Sequence, residues 1–268
     1  MPRAGDPKRI VVALDTGSLS HAAVQAATRL AIGLRAELEA LFVEDVNLRR
    51  LAGLPFAREL GNTSAQPRRF DVAELDRGIA VQARQVRRAL EAAAHELPLG
   101  WSLEVVRGDL IAVVLERTAA ADLLVLGRTR RPVYRGAHGA KVLRRLERRV
   151  ARHPVIAVFD GSAAAARVLE AALALERRAR GEVLVAIPAS GPEQYGALRG
   201  QVDATLAARG HAPIGCVCLP DAGITTIAET AKRQRAGAVL LPVTDIVHAQ
   251  HEFEGLVDEI ACPVVLIR

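Results

Sequence analysis

The chain has 268 residues, half of them apolar and a quarter charged, a balance typical of packed proteins that excludes a disordered or collagen-like chain. The formal net charge is +6, and it is unevenly distributed. Residues 128–152, which we call the basic window, hold ten basic residues and one acidic residue, so the rest of the chain carries −3. The basic character is therefore a local patch.

Several functional classes are not expected from this composition. Aromatic residues make up 3% of the chain, and Tyr134 is the aromatic residue of the basic window, whereas single-strand nucleic-acid binders stack bases on aromatic rings. The first residues lack the apolar core of a signal peptide, and no apolar run reaches the ~18–20 residues of a membrane span. Three cysteines do not form a disulfide framework. We expect a cytoplasmic protein that binds neither nucleic acid nor a membrane.

Strands and helices are predicted to alternate along the first part of the chain. Short apolar runs predict strands at Ile10–Leu14, Leu38–Val43, Ser102–Val106 and Asp122–Leu126. Helical apolar spacing predicts helices at Ser20–Leu34, Glu74–Leu97, Leu110–Ala120 and Ala140–Arg152. Ser20 and Asp109 are the expected N-caps of two of these helices. Residues 46–70 are predicted to be irregular.

The pattern then begins again. A strand at Val155–Phe159 followed by Asp160-Gly161-Ser162 repeats the first strand with its Asp15 and the Gly17-Ser18 pair. Further strands are predicted at Glu182–Ile187, Ile214–Leu219, Ala238–Leu241 and Pro263–Ile267, with a helix at about 247–260. This internal repeat predicts an α/β protein with two tandem doubly wound units, each with a mostly parallel buried sheet, at residues 1–152 and 153–268.

The strand count is one short of two complete units. Two five-stranded units need ten strands, and the sequence predicts nine. Either one unit has an incomplete sheet, or the closing strand of one unit completes the other. We favour a first unit that lacks its last strand, since Val155–Asp160 fits the first strand of a unit. Whether the nine strands form one sheet or two stays open at this point.

The irregular segment at 46–70 is too apolar for a free loop. One interpretation is a segment packed on its own unit. The other is a lid or an interface element over the binding edge of the first unit.

Several short motifs resemble the universal stress protein family. In the first half they are Ile10–Asp15, Ala40–Val43, the Val105–Asp109 turn and Asp122–Gly127. In the second half they are Val158–Ser162 and Cys262–Ile267. Each motif is degenerate, and their order and spacing, repeated twice, carry the resemblance over nearly the whole chain. It implies doubly wound domains, a role in the stress response, frequent dimers and, in some members, ATP binding.

The resemblance also implies where a nucleotide would bind. In nucleotide-binding members the residues after the first and second strands hold the adenosine, and a glycine-rich stretch after the fourth strand holds the phosphates. The corresponding adenosine residues of this sequence are Ala13, Asp15 and Val43. The corresponding phosphate residues are Gly127, Arg128, Arg130, Gly136, Gly139 and Lys141. Backbone amides in such a loop can approach phosphate oxygens closely.

The sequence departs from the family's glycine pattern. Gly127 matches the first glycine, but Arg130 stands at the position of the second, and the later Gly-Ser pair is absent. Gly136 and Gly139, followed by Lys141, could rebuild an anion cradle. In the second half the equivalent loop has no glycine, and Asp245 would repel phosphate. The sequence thus predicts ATP or AMP binding, if any, in the first unit, with the second unit a structural copy.

The other chemistry-bearing residues point to structure. Cys216 and Cys218 lack further ligands nearby, so they are interpreted as buried thiols, and His248 and His251 as residues of a surface helix. No metal site is expected, and no motif nominates a catalytic nucleophile, so we expect no enzyme.

The helix of the basic window is interpreted as a solvated amphipathic helix, an anion site or a docking surface. Asp160 is either a turn residue or a ligand residue.

Two hypotheses about function follow. The first is a cytoplasmic regulator that binds an adenine nucleotide or another anion in its first unit. The second is an interaction scaffold without a small ligand, which forms a homodimer or binds a protein partner through the incomplete sheet and the basic window.

Overall fold

The computed structural model describes residues 9–15, 21–60, 67–95, 100–118, 121–127, 153–179, 182–243, 259–260 and 262–268. In its first half, four strands of the main sheet are β1 (Arg9–Asp15), β2 (Glu37–Asp45), β5 (Trp101–Gly108) and β6 (Leu123–Leu126). Three of the helices there are α1 (His21–Leu34), α3 (Val72–His95) and α4 (Leu110–Thr118). Asp109 caps α4 as predicted, since its carboxylate accepts a 3.0 Å hydrogen bond from the amide of Ala112.

The segment at 46–70 is not irregular, and the prediction there was wrong. Its described part contains helix α2 (Val46–Ala52) and a two-stranded antiparallel ribbon of β3 (Arg58–Leu60) and β4 (Pro67–Arg69). Asp45 begins α2, because its carboxylate accepts hydrogen bonds from the amides of Asn47 and Leu48. Arg49 ties α2 to α3 through a bidentate ion pair with Asp76, at 2.5 and 3.1 Å.

The second half repeats the strand and helix alternation. Its strands are β7 (Val155–Val158), β8 (Val183–Pro188), β9 (Gly215–Leu219), β10 (Ala238–Pro242) and β11 (Val264–Ile267). Its helices are α5 (Ala165–Ala179), α6 (Pro192–Ala207) and α7 (Ile224–Arg233). The sequence did not predict α6. The helices predicted at Ala140–Arg152 and at about 247–260 lie wholly or largely outside the described residues.

Nine strands form one continuous sheet in the order β5-β2-β1-β6-β11-β10-β7-β8-β9. Within each half the pairs are parallel, and the inner order β5-β2-β1-β6 is repeated as β9-β8-β7-β10. At the junction β11 pairs parallel with β10 and antiparallel with β6. The strand that closes the second half therefore also completes the first, which has no fifth strand of its own among the described residues.

Helices cover both faces of this sheet. On one face, side chains from α1, α3, α5 and α6 join one buried cluster. On the other face, side chains from α4 and α7 join a second cluster. Both clusters contain residues from both halves, so the two halves share their hydrophobic core. Strands buried on both faces read as unbroken apolar runs, which explains why the sequence located them well.

Helix α7 ends in a Schellman motif, with the amide of Ala236 donating to the carbonyl of Ala231 at 2.9 Å. Arg235 occupies its left-handed position with a φ of 52°, which costs a side chain with a β-carbon about 1 kcal/mol. We expect Arg235→Gly to raise the free energy of unfolding by about 1 kcal/mol. Arg233→Gly, inside the last turn, should lower it by about the same amount. Urea unfolding of both variants tests this, and shifts of equal sign would contradict it.

Candidate functional site

The carboxyl edge of the first half brings together the predicted adenosine residues. Asp15, the last residue of β1, lies opposite Val43 of β2 in the parallel register. Ala13 lies opposite Leu126, the last residue of β6, and the buried Gly127 follows directly. Ala13 and Val43 belong to the same buried cluster, so they lie on one face of the sheet. The structure therefore places Ala13, Asp15, Val43 and Gly127 along three adjacent strand ends.

The junction of β1 and β6 is the switch point of the first half. From β1 the chain runs outward to β2 and β5, and it then returns to the other side of β1 to form β6. The connecting helices α1 and α4 cover opposite faces of the sheet, so they diverge at this junction. In open α/β sheets, ligands bind in the crevice at such a point, outside the carboxyl ends of the strands. Asp15 and Gly127 flank it.

The other predicted phosphate residues cannot be placed relative to this edge. Arg128, Arg130, Gly136, Gly139 and Lys141 lie outside the described residues, as does the rest of the basic window. Their assignment stays a prediction from the sequence, and so does the domain boundary between residues 152 and 153.

The equivalent edge of the second half is occupied by a turn. The carboxylate of Asp160 accepts a 2.9 Å hydrogen bond from the amide of Ser162, which makes Asp160 a turn residue. Gly161 has a φ of +81°, and a β-carbon added there would lie 2.7 Å from Cδ2 of Leu198 on α6. The loop after β7 is thus packed tightly against α6.

Ion pairs lie at the opposite end of the sheet, where the strands of the first half begin. The carboxylate of Glu39, a side chain 8% exposed, pairs with Arg9 at 2.5 Å and with Arg117 at 3.0 Å. A second hydrogen bond from Arg117 to Glu104 raises the pKa of its guanidinium. Arg9 begins β1, at the opposite end from Asp15, so this network supports the fold and lies away from the candidate site.

A small groove opens at the junction of the two halves, lined among others by Leu34, Leu123, Arg167 and Ile267. Leu123 begins β6 and Gly127 follows its end, so the groove and the candidate site lie at opposite ends of this strand.

The described residues contain no group of three or more acidic, histidine or cysteine side chains that could hold a metal ion. His248 and His251 lie outside that part of the chain. None of the described helices has the length and apolar composition needed to cross a bilayer.

The prediction that both Cys216 and Cys218 are buried was wrong. Cys218 is exposed and Cys216 is half-buried, because β9 is an edge strand with a neighbour on one side only. Burial raises the pKa of Cys216, although Arg199 opposes this, and burial raises the pKa of Cys262 to about 12.

These environments predict different thiol reactivity. The thiolate is the reactive form, so at pH 8 a thiol of pKa about 12 is ionised to roughly one part in ten thousand. With Ellman's reagent we expect the exposed Cys218 to react first, and the half-buried Cys216 and Cys262, whose pKa values burial raises, to react more slowly. Cys218→Ser should remove the fast phase and leave the other two unchanged. A fast phase that persists in this variant would contradict the prediction.

The sequence missed a second surface, formed by Phe56, Arg58 and Arg69 around the β3–β4 ribbon. Three-residue strands are too short to show an alternating pattern, so no periodic signal identified them. The composition could have indicated this surface, since residues 46–70 contain five arginines and one acidic residue.

Comparison of the sequence with known protein families identifies the family of this chain. The model of the universal stress protein family matches residues 7–154, more than half of the chain. The chain belongs to the universal stress protein family. Its second half repeats the strand order of the matched half. A comparison with curated proteins gives no match.

Solved structures are similar to this chain to different degrees. A universal stress protein from Archaeoglobus fulgidus is 12% identical, with 96% of each chain covered and a TM-score of 0.50. A protein of unknown function from Pseudomonas aeruginosa is 13% identical over 97% of this chain and 92% of its own, with a TM-score of 0.47. A universal stress protein in complex with cAMP is 15% identical and covers 43% of this chain and 96% of its own, with a TM-score of 0.37. At 12% identity the likeness to the Archaeoglobus fulgidus protein concerns the fold alone.

Proposed function

We propose that this universal stress protein is a cytoplasmic regulator, not an enzyme, whose first half binds an adenine nucleotide such as ATP or AMP, or another anion. The observation that carries the proposal is the position of Asp15 and Gly127 at the ends of neighbouring parallel strands, on either side of the switch point. Such a crevice is the usual binding place in open α/β sheets.

Each residue at this edge has a role that follows from its position. Ala13 and Val43 have buried side chains near the strand ends, so they would form the floor of the crevice beneath the base. Asp15 would accept hydrogen bonds from the base or ribose. Gly127 has no β-carbon, so the backbone after β6 can approach a phosphate. The basic window follows directly in sequence, and Arg128, Arg130 and Lys141 would supply cations, with Gly136 and Gly139 giving a close backbone approach.

The second half is proposed to be a structural copy without a nucleotide. Two observations support this. The loop that follows Asp160 is packed on α6, since a β-carbon added at Gly161 would lie 2.7 Å from Cδ2 of Leu198. The loop after β10 contains Asp245 and no glycine, and its negative charge would oppose phosphate.

Calorimetric titration of ATP, ADP and AMP into the full chain at low salt tests the proposal. We expect heat of binding for at least one nucleotide, an affinity at least about tenfold weaker in Asp15→Ala, and no change in Asp160→Ala, the matched aspartate of the second half. Absence of heat for all three nucleotides, with folding confirmed by circular dichroism, would overturn nucleotide binding. Equal losses in the two variants would overturn the assignment of the site.

The alternative is an interaction scaffold without a small ligand. Its first support was an open sheet edge in the first half, but β11 already pairs with β6 there. A homodimer or a protein partner would therefore have to use another surface, such as the basic window or the ribbon described below. Sedimentation at micromolar concentration discriminates the two forms of this proposal, because a monomer would exclude the homodimer and leave the protein partner.

A further inference from the structure

The β3–β4 ribbon presents two arginines side by side. Arg58 and Arg69 are directly opposite each other in the antiparallel register, and both are exposed. The next residues, Ala57 and Phe70, are joined by a backbone hydrogen bond of 3.2 Å, so Arg58 and Arg69 form a non-hydrogen-bonded pair. In such a pair the Cα atoms are only ~4.5 Å apart and the side chains leave the same face together.

Like charges placed directly opposite each other destabilise an antiparallel pair. The carboxylates of Asp71 and Asp76, which follow the ribbon, are engaged elsewhere. Asp71 accepts hydrogen bonds from the amides of Ala73 and Glu74 at the start of α3, and Asp76 pairs with Arg49. The two guanidinium groups therefore form a site whose repulsion an anion between them would relieve.

Apolar side chains border the arginine pair. Phe56 is 75% exposed in the turn just before β3, where the amide of Ala57 donates to the carbonyl of Leu54 at 3.1 Å, and Ala57 is 7% exposed. Leu51 and Leu54, just before them, are 48% and 39% exposed. We call Phe56, Arg58 and Arg69 the ribbon face. Exposed apolar groups beside charged ones are typical of interaction sites.

We propose that the ribbon face docks an acidic, partly apolar segment of a protein partner, with carboxylates held by Arg58 and Arg69 and an apolar side chain packed on Phe56. Charge complementarity selects this occupant, since residues 46–70 carry a net +4. This inference does not depend on nucleotide binding.

A labelled peptide in which glutamate alternates with phenylalanine and leucine is a direct probe. Fluorescence anisotropy with the full chain should show saturable binding. Arg58→Gln/Arg69→Gln should weaken the binding at least about tenfold, and Phe56→Ser should also weaken it. The matched control is Arg84→Gln/Arg88→Gln, which removes two exposed, neighbouring arginines from α3 and should leave binding unchanged. Equal weakening in both double variants would show unspecific charge attraction and overturn the proposal.

Two further measurements keep the outcome clear. Arg69→Gln should melt no lower than the parent chain, because it removes the like-charge repulsion, so lost binding would not reflect lost folding. A lower melting temperature would make the arginine pair a structural feature and overturn the proposal. Binding to phosphatidylserine vesicles that Arg58→Gln/Arg69→Gln abolishes, or a dimer that the same variant dissociates, would assign the face to a membrane or to a second copy instead.

Discussion

Leu266→Ala is expected to lower the free energy of unfolding of the whole chain by about 3 kcal/mol. Leu266 is 1% exposed and lies on β11, directly opposite Leu124 of β6, which is equally buried. Removing its branched side chain leaves a cavity at the one place where the sheets of the two halves meet. The loss should therefore reach the first half, although the substitution is in the second.

Trp101 makes this test specific, because it is the only tryptophan and lies on β5, the edge strand of the first half. In urea, the midpoint from Trp101 fluorescence should fall as much as the midpoint from circular dichroism. Leu51→Ala is the control, since a leucine that is 48% exposed should cost less than about 0.5 kcal/mol. An unchanged Trp101 midpoint in Leu266→Ala would mean that the halves unfold independently.

The sharing of β11 could be anticipated only in part from the sequence. Counting nine strands predicted a first unit without its last strand, and the described residues confirm this, since β11 takes that place beside β6. Completion of one unit by the closing strand of the other was one of two alternatives, and the antiparallel pairing of β11 with β6 was not predicted. Both strands are four-residue apolar runs buried on both faces, so neither shows the alternation that would indicate a direction or a register.

Helix α6 was missed for a related reason. Its buried residues Leu198, Val202 and Leu206 recur every four positions, but Gly196 precedes them and Gly200 lies between the first two. Glycine lowers helix propensity, so the local composition obscures a pattern that tertiary packing rescues. The strand ends of the candidate site, in contrast, could be located from the sequence. Asp15 and Gly127 end strands whose apolar runs are plain in the sequence, and parallel pairing alone brings those ends to one edge.

Gly161→Ala is expected to lower the free energy of unfolding by about 3 kcal/mol, through two additive costs. A residue with a β-carbon pays about 1 kcal/mol or more in the left-handed region, and Gly161 has a φ of +81°. The added β-carbon would also lie 2.7 Å from Cδ2 of Leu198, which is 8% exposed and packed in the core. Leu198 must move, or the loop after β7 must shift and strain the hydrogen bond between Asp160 and Ser162.

Gly210→Ala separates the two costs. Gly210 has a φ of +70°, but a β-carbon there meets no atom within 4 Å, so this variant should lose only about 1 kcal/mol. The difference of about 2 kcal/mol between the variants, read from urea unfolding, measures the contact between the loop and α6. Equal losses would mean that the loop is free to move away from Leu198. A large difference supports the second half as a structural copy, because its loop after β7 is then fixed by packing against α6, while in the first half the equivalent edge is proposed to bind a nucleotide.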